Sequence, residues 1–270
     1  MKRVEEQDAK QLQIELLKYA KEICVENDIK YYLAYGTLLG AVRHKGYIPW
    51  DDDIDIVLFR DEYEKFIKAV EEDNHEYIKV IHKGNSDCYY GPYAMLVDAR
   101  TGLNHYKVKP EILKELGVYI DVFPLDELAD MKQAKKILPR VYKLKALNNL
   151  TLVKDFSSEM GLKAVAKKIV APFARAIGHE RLCAKIESFA HVCRKGKGTY
   201  VADIMWDPRM PWCIPKEYYD ETILLEFEGE MFHAPKRYDE ILTQIYGDYM
   251  QFPPEDERDS GHHNDFYWRE

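Results

Sequence analysis

Hydrophobic and polar positions along this chain follow two periods, and the switches between them lay out its elements. Over residues 4–26, Leu12, Leu16, Leu17, Ala20, Ile23 and Cys24 recur at helical spacing with charges between them. This predicts an amphipathic helix, closed by Asn27-Asp28. Ile29–Ala34 is a short apolar and aromatic run, read as a strand. It breaks at Gly36-Thr37 into a segment suited to a short helix. After Arg43-His44-Lys45 and a Gly–Pro turn comes an acidic run whose last members are threaded with apolar residues. A strand over Asp53–Phe59 places Ile54, Ile56 and Leu58 on one face and Asp53 with Asp55 on the other. Arg60–Glu72 reads as a helix with Tyr63, Phe66, Ile67 and Val70 on its apolar side. Tyr77–His82 and Tyr93–Asp98 read as strands, the second closed by a turn at Arg100-Thr101-Gly102. Gly117–Pro124 alternates, with Val118, Ile120 and Val122 set against Tyr119, Asp121 and Phe123.

The character changes near residue 130. Residues 131–200 carry about sixteen Lys and Arg against about four Asp and Glu, in a chain whose net charge is −8. Within that stretch Leu162, Val165, Ala166, Ile169, Val170, Phe173 and Ile177 follow helical spacing, with Lys163, Lys167, Lys168 and Arg175 largely off that face. Such a helix suits either an anionic membrane surface or a phosphate-rich acceptor, or else packs into a helical subdomain with its basic face in water. The better expectation is the packed helix. Pro172 marks a kink or a boundary in it. Residues 203–215, with Trp206, Trp212 and three prolines, read as an irregular loop. Ile223–Phe227 and Met231–Pro235 read as a hairpin, Tyr238–Tyr246 as a helix, and the tail from Glu255, with His262 and His263, as frayed. The expected organisation is one α/β (α+β) domain with a mixed sheet. It has a core over about 1–130, a basic helical insertion over about 131–200 and a C-terminal loop, hairpin and helix over about 201–270.

Composition narrows the class. A hydrophobic fraction of 46% with 32% charged residues is that of a soluble globular chain, and a net charge of −8 argues against a general nucleic-acid binder. The five cysteines lack CxxC spacing and read as reduced thiols. The charged N-terminus carries no signal segment, and no run approaches a membrane span, so a cytoplasmic location is expected, with peripheral contact at the membrane's inner face through the basic segment.

The chemistry concentrates between Gly36 and Asp55. A strand, a Gly turn and a helix start bring free backbone N–H groups and the Thr37 hydroxyl to one spot, which suits a phosphate. Asp53 and Asp55 on one strand face repel each other and call for a cation. Beside a phosphate site the fitting cation is magnesium, a hard ion that prefers oxygen ligands. Asp121 is a lone carboxylate in an apolar strand. Three roles would explain it: a third metal ligand, the base for an acceptor hydroxyl, or an Asp paired to an Arg or capping the turn before Pro124. Asp51 shares parity with Asp53 and is the reserve ligand, whereas Asp52 is the poorer one.

The Gly-Thr, Asp-x-Asp and third-strand carboxylate pattern resembles the nucleotidyltransferase superfamily. The longer string GTLLGAVRHKGYIPWDDDIDI, with DVFPLD at Asp121–Asp126 and YGDYMQFPP at Tyr246–Pro254, closely resembles the LicD family of phosphorylcholine transferases and related phosphoalditol transferases. That resemblance implies a nucleotidyltransferase-like fold. It also implies transfer of phosphocholine, or a similar phospho-group, from CDP-choline or a related CDP-linked donor to a hydroxyl of a glycan, lipid-linked glycan or teichoic-acid precursor. Asp53, Asp55 and Asp121 would then hold magnesium (or manganese). Gly36, Thr37 and Leu38 would hold donor phosphate, and Arg43, His44, Lys45 and Trp50 would contact the donor, with Arg43 offsetting developing charge. A choline cargo needs aromatic walls, for which Tyr89, Tyr90, Tyr93, Trp50 and Trp206 are candidates. The rival readings are a nucleotidyltransferase acting on an NTP, a CDP-alditol phosphotransferase and a non-catalytic assembly protein. Met95-Leu96-Val97-Asp98 departs from the family pattern, lacking a basic residue.

Overall fold

The structure is a computed structural model that describes residues 2–86, 91–105, 107–153, 161–193, 198–206, 208–258 and 264–270. Helix α1 (Glu6–Glu26) opens with Glu6 and Asp8 at the positive end of its dipole and buries the predicted Leu12–Cys24 stripe. It ends where the Asn27 side chain turns back to donate to Ile23 O. Next come β1 (Tyr32–Leu33), α2 (Tyr35–His44), β2 (Asp55–Phe59) and α3 (Arg60–Asp73). The strands β3 (Ile78–Ile81), β4 (Ala94–Asp98), β5 (Thr101–Asn104) and β6 (Val118–Leu128) follow. The basic stretch forms α4 (Met131–Leu152), α5 (Leu162–Ile177) and α6 (His179–Cys193). Beyond it lie β7 (Tyr200–Ala202), β8 (Cys213–Pro215), the hairpin β9 (Thr222–Phe227) and β10 (Glu230–Pro235), α7 (Tyr238–Tyr246) and β11 (Asp265–Trp268).

A mixed sheet in the order β1-β2-β6-β4-β3 organises the molecule, with β2 and β6 parallel and the other pairings along it antiparallel. β6 runs on beyond this sheet, and its far end pairs with β7, which pairs with β8. Both faces are covered, so alternation sorts side chains between two cores. Ile54, Ile56, Leu58, Ile120 and Val122 pack with Leu16 and Leu17 of α1. Val57, Tyr119 and Phe123 pack with Ala134, Leu138 and Val141 of α4. Between β6 and the start of α3, Asp126 accepts both arms of Arg60, at 2.8 and 2.7 Å, in a buried bidentate pair.

Several expectations need correction. β1 is only two residues long, and Asp53 precedes β2 rather than lying in it. Thr101-Gly102 is not a turn but the start of β5, because the tail after Glu255 is not frayed throughout: β11 pairs with β5 from Thr101↔Trp268 to Asn104↔Asp265. Residues 203–215 are not loop alone, since Cys213–Pro215 forms β8. Pro172 lies inside α5 and bounds nothing. The amphipathic face of α5 points the other way from a packed helix. Ala164, Ala171 and Ala174 are buried, while Val165, Ile169, Phe173 and Ile177 are exposed. Among the described residues no helix is long and apolar enough to cross a membrane.

Candidate active site

The parallel pairing of β2 with β6 sets Asp55 directly across from Asp121, and Asp121 N–H donates to Ile54 O at 2.9 Å. Both carboxylates are only 7% exposed. The start of β2 is fixed from two sides. Thr37 Oγ1 accepts the Asp55 N–H at 2.8 Å, and Ala34 N–H donates to Asp55 O at 3.1 Å. The preceding Asp run is held by α1, where the buried Gln13 side chain donates to Asp52 O at 3.0 Å and to Tyr119 O at 3.2 Å. Helix α1 thus supports the site although it carries none of its acids.

These carboxylates open onto a cavity of about 440 Å³ lined by Gly36, Asp51, Asp53, Asp55 and Asp121, with aromatic walls from Tyr35, Tyr93, Tyr119, Trp206, Trp212 and Tyr246. At Gly36 a Cβ would stand 2.5 Å from Asp51 Oδ2, so a larger residue there would displace the Asp51 carboxylate. Burial, then the charges of Asp53, Asp121, Asp51 and Asp203, hold the Asp55 carboxyl well above the usual carboxylate range. Asp203 is buried with it. Its Oδ2 accepts the Tyr35 hydroxyl at 2.7 Å and its Oδ1 the Trp206 N–H at 2.7 Å. Burial outweighs these bonds and pushes its carboxyl up to about 7. Tyr35, at φ 48°, is a non-glycine residue in the left-handed region, held there by that bond and by edge contacts to Phe123 and Trp212.

The structure therefore gathers Gly36, Asp51, Asp53, Asp55, Asp121, Tyr93 and Trp206, and leaves other predicted residues elsewhere. Thr37 is buried, its hydroxyl holding the first turn of α2 to β2, and Leu38 is in the core. Arg43, His44 and Lys45 lie at the far end of α2. Arg43 donates to Tyr249 O at 2.9 Å and stacks 4.7 Å over Phe252, and Lys45 pairs with Glu226 at 3.1 Å. His44 packs beside Phe252 and is held below its usual pKa by burial and by Arg43. Trp50 lines an adjoining cavity with Lys10, Gln13 and Arg258, and the two cavities share Asp51 and Asn264. Tyr89, Tyr90, His262 and His263 lie outside the described residues.

Asp203, Tyr35, Tyr119, Trp212 and Tyr246 were not anticipated. Asp203 carried the same sequence signal as Asp121, a single acid inside an apolar run, Val201-Ala202-Asp203-Ile204-Met205.

The family model described as LicD/FKTN/FKRP, nucleotidyltransferase domain, matches residues 28–100. A lipopolysaccharide cholinephosphotransferase, LicD, of Haemophilus influenzae (strain ATCC 51907 / DSM 11121 / KW20 / Rd) is 30% identical over 261 residues, covering 94% of each chain. The chain belongs to the LicD family. Two uncharacterised proteins, of Rickettsia prowazekii (strain Madrid E) and Rickettsia typhi (strain ATCC VR-144 / Wilmington), are 50% identical over 48 residues, or 18% of this chain. The LicD family match spans β1 to β4 and so includes Gly36, Asp53 and Asp55, whereas Asp121 and Asp203 lie beyond it.

Proposed function

We propose that this protein transfers phosphocholine from CDP-choline, or from a related CDP-linked donor, to a hydroxyl of a cell-surface glycan precursor. The observation that carries the reading is one cavity combining a carboxylate floor with walls of Tyr and Trp. A quaternary ammonium is bound by aromatic faces, and buried acids among them add to that attraction. The full-length likeness to a cholinephosphotransferase supports the same cargo.

Asp53, Asp55 and Asp121 would hold magnesium (or manganese), the assignment that fits a nucleotidyltransferase-like core. The repulsion that raises Asp55 is what a divalent cation would relieve. Magnesium takes carboxylate oxygens and completes its shell with water and substrate phosphate. When bound, the ion would neutralise the donor diphosphate. Trp50, Lys10 and Arg258 offer the adjoining cavity to the nucleotide half, a ring for stacking and cations for phosphate. The acceptor oxygen attacks the phosphorus distal to the nucleoside, its P–O bond to CMP breaks, and the hydroxyl proton passes to a buried carboxylate. Asp121 is that base in the arrangement where Asp53 and Asp55 alone hold the ion. Asp203, through its bond to Tyr35, positions the wall against which the donor lies.

The test is product analysis with CDP-choline, magnesium and a glycan acceptor, with and without EDTA. Metal-dependent CMP release with phosphocholine on the acceptor is expected, and Asp55→Asn should abolish it with the fold intact. Pyrophosphate release from an NTP would instead make the protein a nucleotidyltransferase. CMP from CDP-ribitol or CDP-glycerol alone would keep the mechanism and change the cargo.

A further inference from the structure

We infer that α5 is a docking element for an anionic bilayer surface, an inference independent of the reaction proposed above. On this helix the usual arrangement is inverted. Three alanines, Ala164, Ala171 and Ala174, form the seam packed on the rest of the subdomain. Val165, Ile169, Phe173 and Ile177, at four-residue intervals, are 54%, 62%, 70% and 43% exposed, with Val170 beside them. At about 100° per residue the centre of this apolar ridge lies opposite the alanine seam. Lys167 falls within the arc of that seam, between Ala171 and Ala174, and Lys168 with Arg175 just beyond Ala164; all are exposed, and Arg175 donates to Val153 O at 2.8 Å. The ridge therefore projects outermost, with the cations set back on the seam side of the helix.

That cross-section is the one a helix shows when it lies in a membrane interface. The apolar ridge reaches the acyl boundary while lysines on the polar face behind it extend their stems to the headgroups. A convex, single-file ridge suits a deformable plane, whereas a protein partner would have to supply a groove flanked by acids. Charge also selects the plane. Residues 131–200 carry a net +12 in a chain of net −8, which leaves −20 elsewhere. An anionic surface is thus attracted on this side of the chain and repelled by the remainder. The same subdomain borders the candidate active site, since Lys145 of α4 lies 3.8 Å over the Trp206 ring in the cavity wall.

The experiment is vesicle sedimentation of the full chain with phosphatidylcholine alone and with equal parts of phosphatidylcholine and phosphatidylglycerol. Binding to the anionic vesicles alone is expected, weakening as salt rises. The double variant Ile169→Glu/Phe173→Glu should lower it by at least about tenfold, and so should Lys167→Glu/Lys168→Glu, by removing cations and leaving the ridge. Every substituted side chain is exposed, so circular dichroism and melting temperature should match the parent protein. Should the first variant fold poorly, the lysine variant carries the test. Equal binding by parent and variants, no binding by the parent, or a self-association that Ile169→Glu/Phe173→Glu abolishes in the absence of vesicle binding would each overturn the inference.

Discussion

Asp55 and Asp203 make the protein sensitive to pH in an unusual sense. Both carboxyls are held above their usual range, Asp203 at about 7. The folded chain therefore retains protons that the unfolded chain releases. Their contribution to stability is greatest below pH 4 and is lost as pH rises toward 7, by about 4 kcal/mol for Asp203 titrating alone. Melting in EDTA across that window should show the decline, and Asp203→Asn should flatten it. Magnesium at pH 7 should raise the melting temperature of the parent protein, and the rise should vanish in Asp55→Asn. The pair formed by Arg60 and Asp126 acts in the opposite way. Its two charges are satisfied by each other, so Arg60→Ala should cost about 3–5 kcal/mol in urea unfolding by stranding a buried carboxylate.

At the scale of elements, α2 sits against the loop that carries the acids. A Cβ at Gly40 would run into the carbonyl oxygen of Gly46, which is backbone and cannot swing aside. Gly40→Ala should therefore lower the urea midpoint by an amount equivalent to about 1–3 kcal/mol and weaken the site with it. Much of the layout was legible because helices α1 and α3 bury stripes of the expected period, and because strands β2, β4 and β6 are apolar runs whose alternate side chains enter two different cores. The opposition of Asp55 to Asp121 was not: it depends on the register of strands 66 residues apart, which periodicity does not encode. Thr37 had the composition of a phosphate ligand but faces inward, since the first turn of α2 needs an acceptor for the Asp55 amide. Tyr93 and Trp206 were legible only as aromatic candidates. Their place in the wall follows from tertiary packing, in which Trp206 stacks on Phe123 at 5.6 Å and meets Tyr93 at 5.4 Å.

For the whole molecule, the described ends of the chain meet. Val4 N–H donates to Phe266 O at 2.9 Å, Trp268 N–H donates to Lys2 O at 2.8 Å, and β11 lies on β5. Asn264, just before β11, donates to the Tyr119 hydroxyl at 3.2 Å and lines both cavities. Deleting residues 264–270 should thus expose Leu103 and Val4, lower the melting temperature and loosen ligand binding together, readable by calorimetry and titration on one sample. In three dimensions the polypeptide is closer to a ring than to a line. A gene rewritten to begin at His75 and end at Asn74, with a short linker from Glu270 to Lys2, would keep every pairing across that seam. It cuts only after the exposed left-handed residue that ends α3. Such a permuted protein should fold to the same cavity, because the order in which the chain is written is not what holds the seam shut.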